Sequence, residues 1–177
     1  ENINIVGGKG VVMGGQRESD STMLTVIGKN FTVGSKAQYG GLSAKGYGSV
    51  VIGSDKNWLD TVTIKGGQGF SAGFIGSGSV DDRVTEIYAK EVTFDNTEAN
   101  KSYGTAFSNK DSNVLVNADT ITVKGEKTQS TDKNGVVEVH SSQTDFNAKN
   151  INIIVQKDNN YDALKNSLYA IYAKGSS

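Results

Sequence analysis

Two adjacent carboxylates followed by an arginine are the most conspicuous candidate for chemistry in this sequence. Asp81, Asp82 and Arg83 come directly after a short run of Gly, Ser and Val. Paired carboxylates can act as acid and base on a glycosidic bond, or hold Ca²⁺ beside an arginine. Asp side chains in a turn, however, commonly bond to their own backbone. We therefore expect a turn here, and we predict neither a metal site nor a catalytic residue. Asp81 and Asp82 remain the alternative candidates for metal ligands.

The only histidine, His140, follows Val137 and Val139 in an alternating run. This alternation predicts that its side chain points outward. Zinc is held by three or four ligands, mostly Cys and His, and the chain contains no cysteine. A Ser-His-Asp arrangement would need the same histidine, and no strained elbow motif accompanies it. We therefore expect a plain surface residue and no cofactor.

Aromatic side chains in polar surroundings are the remaining candidates for binding. The only tryptophan, Trp58, lies in the polar segment 55–60, and several tyrosines lie in or near loops. Such rings combine a large apolar surface with a polar tip, which suits contacts with sugars and protein partners. The predicted binding residues are Trp58, Tyr39, Tyr47, Tyr103, Tyr161 and Tyr169.

An internal repeat must position all of these side chains. The triplet Ile3-Asn4-Ile5 returns as an apolar–polar–apolar triplet starting at residues 31, 62, 92, 121 and 151. This alternation is typical of a strand with one buried face. The inward residues are Ile, Val and Phe, which favour strands. Each repeat of about thirty residues therefore contains one regular strand of this kind.

Each repeat also contains two further short apolar segments, separated by Gly, Ser, Asn, Asp and Lys. Three short strands per repeat, without a helix, describe the three sides of a coil. The sequence thus predicts an all-β fold, a right-handed parallel β-helix of about six coils with three strands per coil. We expect one domain over residues 1–177, a segment of a longer protein. The loop after the repeated strand is expected to lengthen along the chain and to form part of a binding face.

The composition limits which classes of partner we expect. Eighteen basic and nineteen acidic residues give a net charge of -1, so no electrostatic attraction to nucleic acid is expected. No apolar run approaches the roughly 18 residues that span a bilayer, so we expect no direct membrane insertion of this segment. The absence of cysteine means that the core must be stable without disulfides.

Several segments resemble the passenger domains of bacterial autotransporters. They are residues 118–123 (Ala-Asp-Thr-Ile-Thr-Val), 148–153 (Ala-Lys-Asn-Ile-Asn-Ile) and 169–173 (Tyr-Ala-Ile-Tyr-Ala), the last similar to a return strand. The resemblance implies export across the outer membrane and an extracellular position on the bacterial cell surface. It also implies adhesion, virulence or biofilm formation as the biological role, and it implies no shared set of binding residues.

Three functions remain open on this basis. The first is an adhesin segment, not an enzyme, that attaches to a surface protein or glycan of a host or of other bacteria, or associates with itself. It would act through a rigid β-helix face and corner loops. The second is a polysaccharide-binding or polysaccharide-degrading β-helix similar to pectate lyase. The third is a structural stalk that displays a distal domain.

Overall fold

The computed structural model describes residues 1–8, 10–15, 22–38, 40–46, 48–73, 84–100, 102, 104–110, 112–127, 134–156 and 168–175. Within these ranges the chain forms fourteen β-strands and no helix. Accordingly, the described part contains no helix long and apolar enough to cross a membrane.

The strands are, in chain order, β1 (Asn2–Val6), β2 (Val11–Gly15), β3 (Thr22–Val26), β4 (Asn30–Gly34), β5 (Gly41–Gly46), β6 (Gly48–Ile52), β7 (Leu59–Lys65), β8 (Gly69–Gly73), β9 (Val84–Asp95), β10 (Phe107–Lys110), β11 (Asn113–Glu126), β12 (Asn134–His140), β13 (Gln143–Gln156) and β14 (Leu168–Lys174).

These strands stack as a parallel β-solenoid. One sheet has the order β1-β4-β7-β9-β11-β13, and the other has the order β2-β5-β8-β10-β12-β14. β3 and β6 join the first sheet through β9. Strands that follow one another in a sheet come from successive repeats, so each repeat forms one level of the stack. The predicted all-β parallel fold is confirmed.

The repeated triplets lie directly above one another. Ile3 pairs with Phe31, Phe31 with Val62, and Val62 with Val92, and the series continues to Ile151. The inward side chains of the middle levels are almost completely buried, as predicted from the alternation. The residues between them form an outward column of Thr with Asn at both ends (Asn4, Thr32, Thr63, Thr93, Thr122 and Asn152).

The coil count differs slightly from the prediction. About four turns have a neighbour on both sides, and the outermost levels of the expected six are covered on one side only. The predicted three strands per coil are separate only in the first levels. From Val84 onward, two of the three sides run together as the long strands β9, β11 and β13. Pairing in these strands is interrupted at Lys90, Asp119 and Lys149, which mark the corner between the two sides.

A stack of phenylalanine rings fills the interior. Phe70 lies parallel to Phe107 with ring centroids 5.2 Å apart, and Phe94 contacts both rings edge-on or tilted. Phe146, one level beyond Phe107, extends the stack at 4.9 Å. Ring pairs at these separations are favourable beyond the area that they bury. The stack therefore joins both sheets over several levels.

Glycines shape the corner that precedes the second sheet. Gly10, Gly41 and Gly69 occupy the same place in successive levels and all have positive φ. A Cβ on Gly41 would overlap the carbonyl oxygen of Gly69, and one on Gly69 would overlap that of Ala106. Glycine is required here because successive backbones approach too closely for a side chain.

The loop after the repeated strand does not lengthen steadily along the chain. From the repeated strand to the paired residue of the second sheet, the chain runs over 8, 11, 8, 15, 16 and 20 residues (Ile3 to Val11, Phe31 to Leu42, Val62 to Phe70, Val92 to Phe107, Ile121 to Val137 and Ile151 to Ile171). This spacing falls only at the third level and increases from there onward. The prediction was wrong at the third level because it counted to a later apolar segment, whereas Phe70 is the residue that pairs in the second sheet.

Substitutions of neighbouring residues in β9 test the strand assignment. Val92 is 1% exposed, whereas Thr93 points outward. Val92→Asp buries an unpaired charge, which we expect to cost about 4 kcal/mol or more and to lower Tm by roughly 10 °C or prevent folding. Thr93→Asp should cost less than about 1 kcal/mol. Thermal melts of both variants measure the difference, and equal damage would contradict the assignment.

Candidate functional site

A column of aromatic and amide side chains lies on the outside of the first sheet. Leu59, Ala89 and Ala118 point inward and are buried at the same height in successive levels. Because side chains alternate along a strand, the residue before each of them points outward. These preceding residues are Trp58, Tyr88 and Asn117. Asn147 lies at the same place in the next level and is the fourth residue of the column.

The two rings of this column contact each other. Trp58 and Tyr88 meet edge to face, with ring centroids 6.4 Å apart and planes at 60°. Trp58 is 39% exposed, so part of the indole remains available to a ligand. The Tyr88 hydroxyl donates a hydrogen bond to Oε2 of Glu86 at 3.1 Å. Burial, together with this bond to Glu86, raises the pKa of Tyr88 above its ordinary value, so the hydroxyl stays a donor at neutral pH.

The two amides continue the column in the next levels. Nδ2 of Asn147 donates to Oδ1 of Asn117 at 3.2 Å. An Asn side chain has two donor hydrogens and an acceptor oxygen. The single bond between the two amides therefore leaves donors and acceptors facing outward for a ligand.

A second outward column runs beside the first and carries acidic groups. It contains Glu86, Leu115 and Asp145 in three successive levels. A cavity of about 200 Å³ lies here, lined by these residues together with Asn113 and Gln143 among others. Nε2 of Gln143 donates to Oδ2 of Asp145 at 2.8 Å. Neither Glu86 nor Asp145 forms an ion pair with any residue of the described ranges.

We call these two columns the aromatic–amide face, defined by Trp58, Tyr88, Asn117, Asn147, Glu86, Leu115 and Asp145. Apart from Trp58, which directly precedes β7, these residues belong to paired parallel strands, so their side chains have fixed spacings of about 4.8 Å from level to level. The face offers ring surface, amide donors and acceptors, and two carboxylates. Groups of these kinds can contact apolar ring faces and form hydrogen bonds with a polar ligand.

A column of alternating charge borders the face at the corner where pairing is interrupted. Successive levels place Glu1, Lys29, Asp60, Lys90, Asp119 and Lys149 above one another. Nζ of Lys90 lies 2.6 Å from Oδ1 of Asp60, and Nζ of Lys149 lies 2.7 Å from Oδ1 of Asp119. A slip of one level would bring like charges together, so the column favours the observed register.

The pairing of Lys90 with Asp60 shifts the pKa of both groups. The hydrogen bond from the Lys90 ammonium, followed by its charge, holds the pKa of Asp60 below its ordinary value. The same bond and the charge of Asp60 raise the pKa of Lys90. Both groups are solvent-exposed, so their attraction is screened by salt. The main effect of the pair is to favour the observed register.

The structure places only one of the predicted binding residues on this face. That residue is Trp58. Tyr169 lies on the other sheet and stacks on Tyr172 at 5.9 Å. The other predicted residues lie outside the described ranges, and so do both alternative metal ligands. They are Tyr39, Tyr47, Tyr103, Tyr161, Asp81 and Asp82.

Sequence reasoning missed Tyr88, Glu86, Asn117 and Asn147. The signal was present in the repeat, since three of these residues precede an inward apolar residue at an equivalent position. Aligning the segment before the repeated strand would have placed Trp58, Tyr88, Asn117 and Asn147 in one column. The contact between the two rings needed the structure.

His140 lies on the outside of the second sheet and is only partly exposed. Its Nε2 is 3.6 Å from Oε2 of Glu138, and its ring meets that of Tyr172 at 5.7 Å. Among the described residues, no three His, Cys, Asp or Glu side chains come together as metal ligands would.

A larger concavity, of about 690 Å³, lies along the corner after the repeated strand and reaches from the first level to the fourth. Its walls include Val6, Gly34 and Ala37, and Lys65 bonds to Glu98 at 2.7 Å beside it. The hydrogen bond that Lys65 donates to Glu98 is the main reason why the pKa of Lys65 is raised. Backbone and apolar atoms dominate this concavity, whereas the aromatic–amide face offers more groups for specific recognition.

Comparisons with known proteins give no family for this chain. A scan against protein-family models, a search of curated proteins and a search of solved structures each returned no significant match.

Substitutions of Lys90 test whether the column of alternating charge stabilises the fold. Lys90→Gln removes the attraction to Asp60, and Lys90→Glu also places three acidic residues in a row. We expect Tm to fall in the order wild type, Gln, Glu at low salt, and the differences to shrink at about 1 M NaCl because of screening.

Acid should abolish the difference in Tm between the wild type and Lys90→Gln. Because the pKa of Asp60 is lowered, the pair stabilises the fold at pH values above the ordinary carboxyl pKa. This stabilisation is lost as the pH falls through the lowered pKa. The Tm gap between wild type and Lys90→Gln should therefore be present at neutral pH and close as the pH falls through the lowered pKa of Asp60. A gap that is unchanged by salt and pH would contradict the electrostatic explanation.

Proposed function

We propose that this chain is an adhesive segment of a bacterial surface protein and that it binds glycans through the aromatic–amide face. The observation that carries the proposal is the Trp58–Tyr88 ring pair continued by Asn117 and Asn147 along one column. Aromatic rings pack against the apolar faces of sugar rings, while amides and hydroxyls bond to sugar hydroxyls. The autotransporter-like repeats support a position on the cell surface.

The arrangement suits a chain of sugars that lies along the stack. The column extends over four successive levels, and neighbouring levels are about 4.8 Å apart. A rigid sheet loses little conformational entropy when a ligand docks, so several weak contacts can add up to useful affinity. Repeated display of the segment on a cell would strengthen attachment further through multivalency.

Charge favours a neutral glycan. Glu86 and Asp145 bear no ion-pair partner in the described residues, whereas Lys90 and Lys149 at the border are paired with Asp60 and Asp119. The face therefore presents net negative charge. Polymers of uronic acids would be repelled, and neutral hexoses or amino sugars would not.

One observation favours polysaccharide cleavage as a second candidate. Glu86 and Asp145 lie on the same cavity, separated by one level at Leu115. Two strand spacings separate their backbones by roughly 9.6 Å, close to the upper end of the range of about 6.5–9.5 Å at which inverting glycosidases hold their two carboxyl groups. New reducing ends in the binding assay, lost in Glu86→Gln, would establish this alternative.

Binding to a glycan panel tests the leading proposal. Neutral polysaccharides, amino-sugar polymers and polyuronates are immobilised, and the purified chain is titrated over each. We expect binding to the first two classes and none to polyuronates. Trp58→Ala should weaken binding about tenfold or more, as for a central aromatic anchor.

Tyr169→Ala is the matched control, because Tyr169 is an equally exposed aromatic residue on the other sheet. It should leave glycan binding unchanged. Melting curves of both variants check that the fold is intact. Absence of glycan binding, or equal loss in the two variants, would overturn the assignment of function to this face.

A further inference from the structure

The charge column is exposed along the side of the stack. Lys29 is exposed, and the side chains of Asp60, Lys90 and Asp119 are each at least 45% exposed. All four residues lie in levels that have a neighbouring level on both sides. Further levels before or after them would therefore lengthen the column without covering it.

The internal ion pairs leave bonding capacity toward the solvent. Nζ of Lys90 binds Oδ1 of Asp60, and Nζ of Lys149 binds Oδ1 of Asp119. A carboxylate has a second oxygen, and an ammonium group has three donor hydrogens. Because these side chains are also exposed, each charged group can bind a further group of opposite sign that comes from outside the chain.

Exposed apolar side chains accompany the charge column on one side. Ile27 comes two residues before Lys29, as Trp58 comes two residues before Asp60. Ile27 is 74% exposed and Trp58 is 39% exposed. We call Ile27 and Trp58 the apolar border. Large apolar side chains next to charged groups are common where one protein surface contacts another, so the column and its border together have the composition of a weak protein–protein interface.

The order of charges along the column makes it complementary to itself. From Lys29 to Asp119 the signs alternate from positive to negative, and in the opposite direction they alternate from negative to positive. In an antiparallel pair of copies, Lys29 therefore faces Asp119 of the second copy. Asp60 faces Lys90 of the second copy in the same way. Two-fold symmetry repeats both contacts, so each of the four residues meets a charge of opposite sign.

Parallel arrangements of two copies match this surface less well. In register, a parallel pair sets each charge against the same charge. A shift of one level restores opposite signs, but it turns the apolar border of one copy toward the outward threonine column of the other. The antiparallel pair brings the apolar borders of both copies together, because its two-fold axis runs across the column. Trp58 then lies opposite Tyr88 of the second copy.

We propose that the charge column and its apolar border pair two copies of this chain side by side in opposite directions, around a two-fold axis between the levels of Asp60 and Lys90. Two-fold symmetry is the commonest symmetry of soluble homo-oligomers. Exposed ion pairs contribute little individually, so the pairing is weak and depends on salt, and display of many copies on a surface strengthens it. The pairing goes beyond glycan binding and does not rest on it.

Sedimentation velocity over a concentration series tests the pairing on the full chain. At about 20 mM NaCl the wild type should form dimers and no larger species, and about 1 M NaCl should weaken the pairing by screening. The double variants Lys29→Gln/Lys90→Gln and Asp60→Asn/Asp119→Asn should each weaken the pairing several-fold at low salt, because each leaves the four positions with charges of one sign only.

Mixing the two double variants provides the decisive readout. The first variant keeps only the acidic groups of the four positions and the second keeps only the basic groups, so Asp60 of the first meets Lys90 of the second. An equimolar mixture should therefore recover pairing. Lys110→Gln/Lys174→Gln removes two exposed positive charges from the second sheet, and it should pair as the wild type does. Melting curves check that every variant is folded.

Single cysteines test the direction of the two copies, because the chain has no cysteine of its own. A mixture of Lys29→Cys and Asp119→Cys should give a disulfide-linked dimer on a non-reducing gel, since these positions meet in the antiparallel pair. A mixture of Lys29→Cys and Asp60→Cys is the matched control. It should not cross-link, because those positions meet only in a parallel pair that is shifted by one level.

Three results would exclude antiparallel pairing through this surface. The first is a wild-type chain that stays monomeric at low salt at every concentration. The second is a mixture of the double variants that pairs no better than either variant alone. The third is a control mixture that cross-links as completely as Lys29→Cys with Asp119→Cys. Both double variants keep every residue of the aromatic–amide face, so loss of pairing is separable from loss of glycan binding.

Discussion

Parallel pairing of like residues between successive levels is the constraint on which the rest of this molecule depends. A single level of the stack has no core of its own, because its inward Ile, Val and Phe side chains are covered only by the levels above and below. Backbone pairing and side-chain burial therefore require the same register. Once Val62 lies over Phe31 and under Val92, the threonines between them must form an outward column. Stability, surface pattern and ligand spacing all follow from that register.

The same constraint explains why the surface can serve recognition. A side chain on a paired strand repeats at the strand spacing and cannot drift, so a column of chosen residues becomes a linear array of contacts. The aromatic–amide face uses four levels in this way. The corner beside it uses alternating charge, which stabilises one register and disfavours a slip. Long loops are not needed for either feature.

The sequence was sufficient for the parts of the fold that repeat. The triplets beginning at Ile3, Phe31 and Val62 identified the strand, its inward face and the period, because burial and alternation are local properties. The fusion of two sides into the long strand β9 was not predictable, since it depends on how sharply the backbone bends at Lys90. The length of the loop in the third level was also misjudged, because a later apolar segment was taken for the strand, whereas Phe70 is the residue that pairs in the second sheet.

The candidate site was only partly accessible to sequence reasoning. Trp58 was found because a lone tryptophan in a polar segment is conspicuous. Tyr88 was missed because its significance lies in the ring of the previous level, which contacts it across thirty residues of chain. The alternation from Glu1 to Lys149 could have been found by aligning the repeats, but single charged residues in a polar loop carry no signal until the register is known.

Engineered disulfides measure the register most directly, because the chain has no cysteine of its own. Thr63 and Thr93 are partners in adjacent levels, about 4.8 Å apart, which lies within the range that a disulfide spans. The variant Thr63→Cys/Thr93→Cys should oxidise almost completely within one molecule. The variant Thr63→Cys/Thr122→Cys, two levels apart at roughly 9.6 Å, should remain reduced. Failure of the first pair to cross-link, or equal cross-linking of both, would contradict the in-register stack.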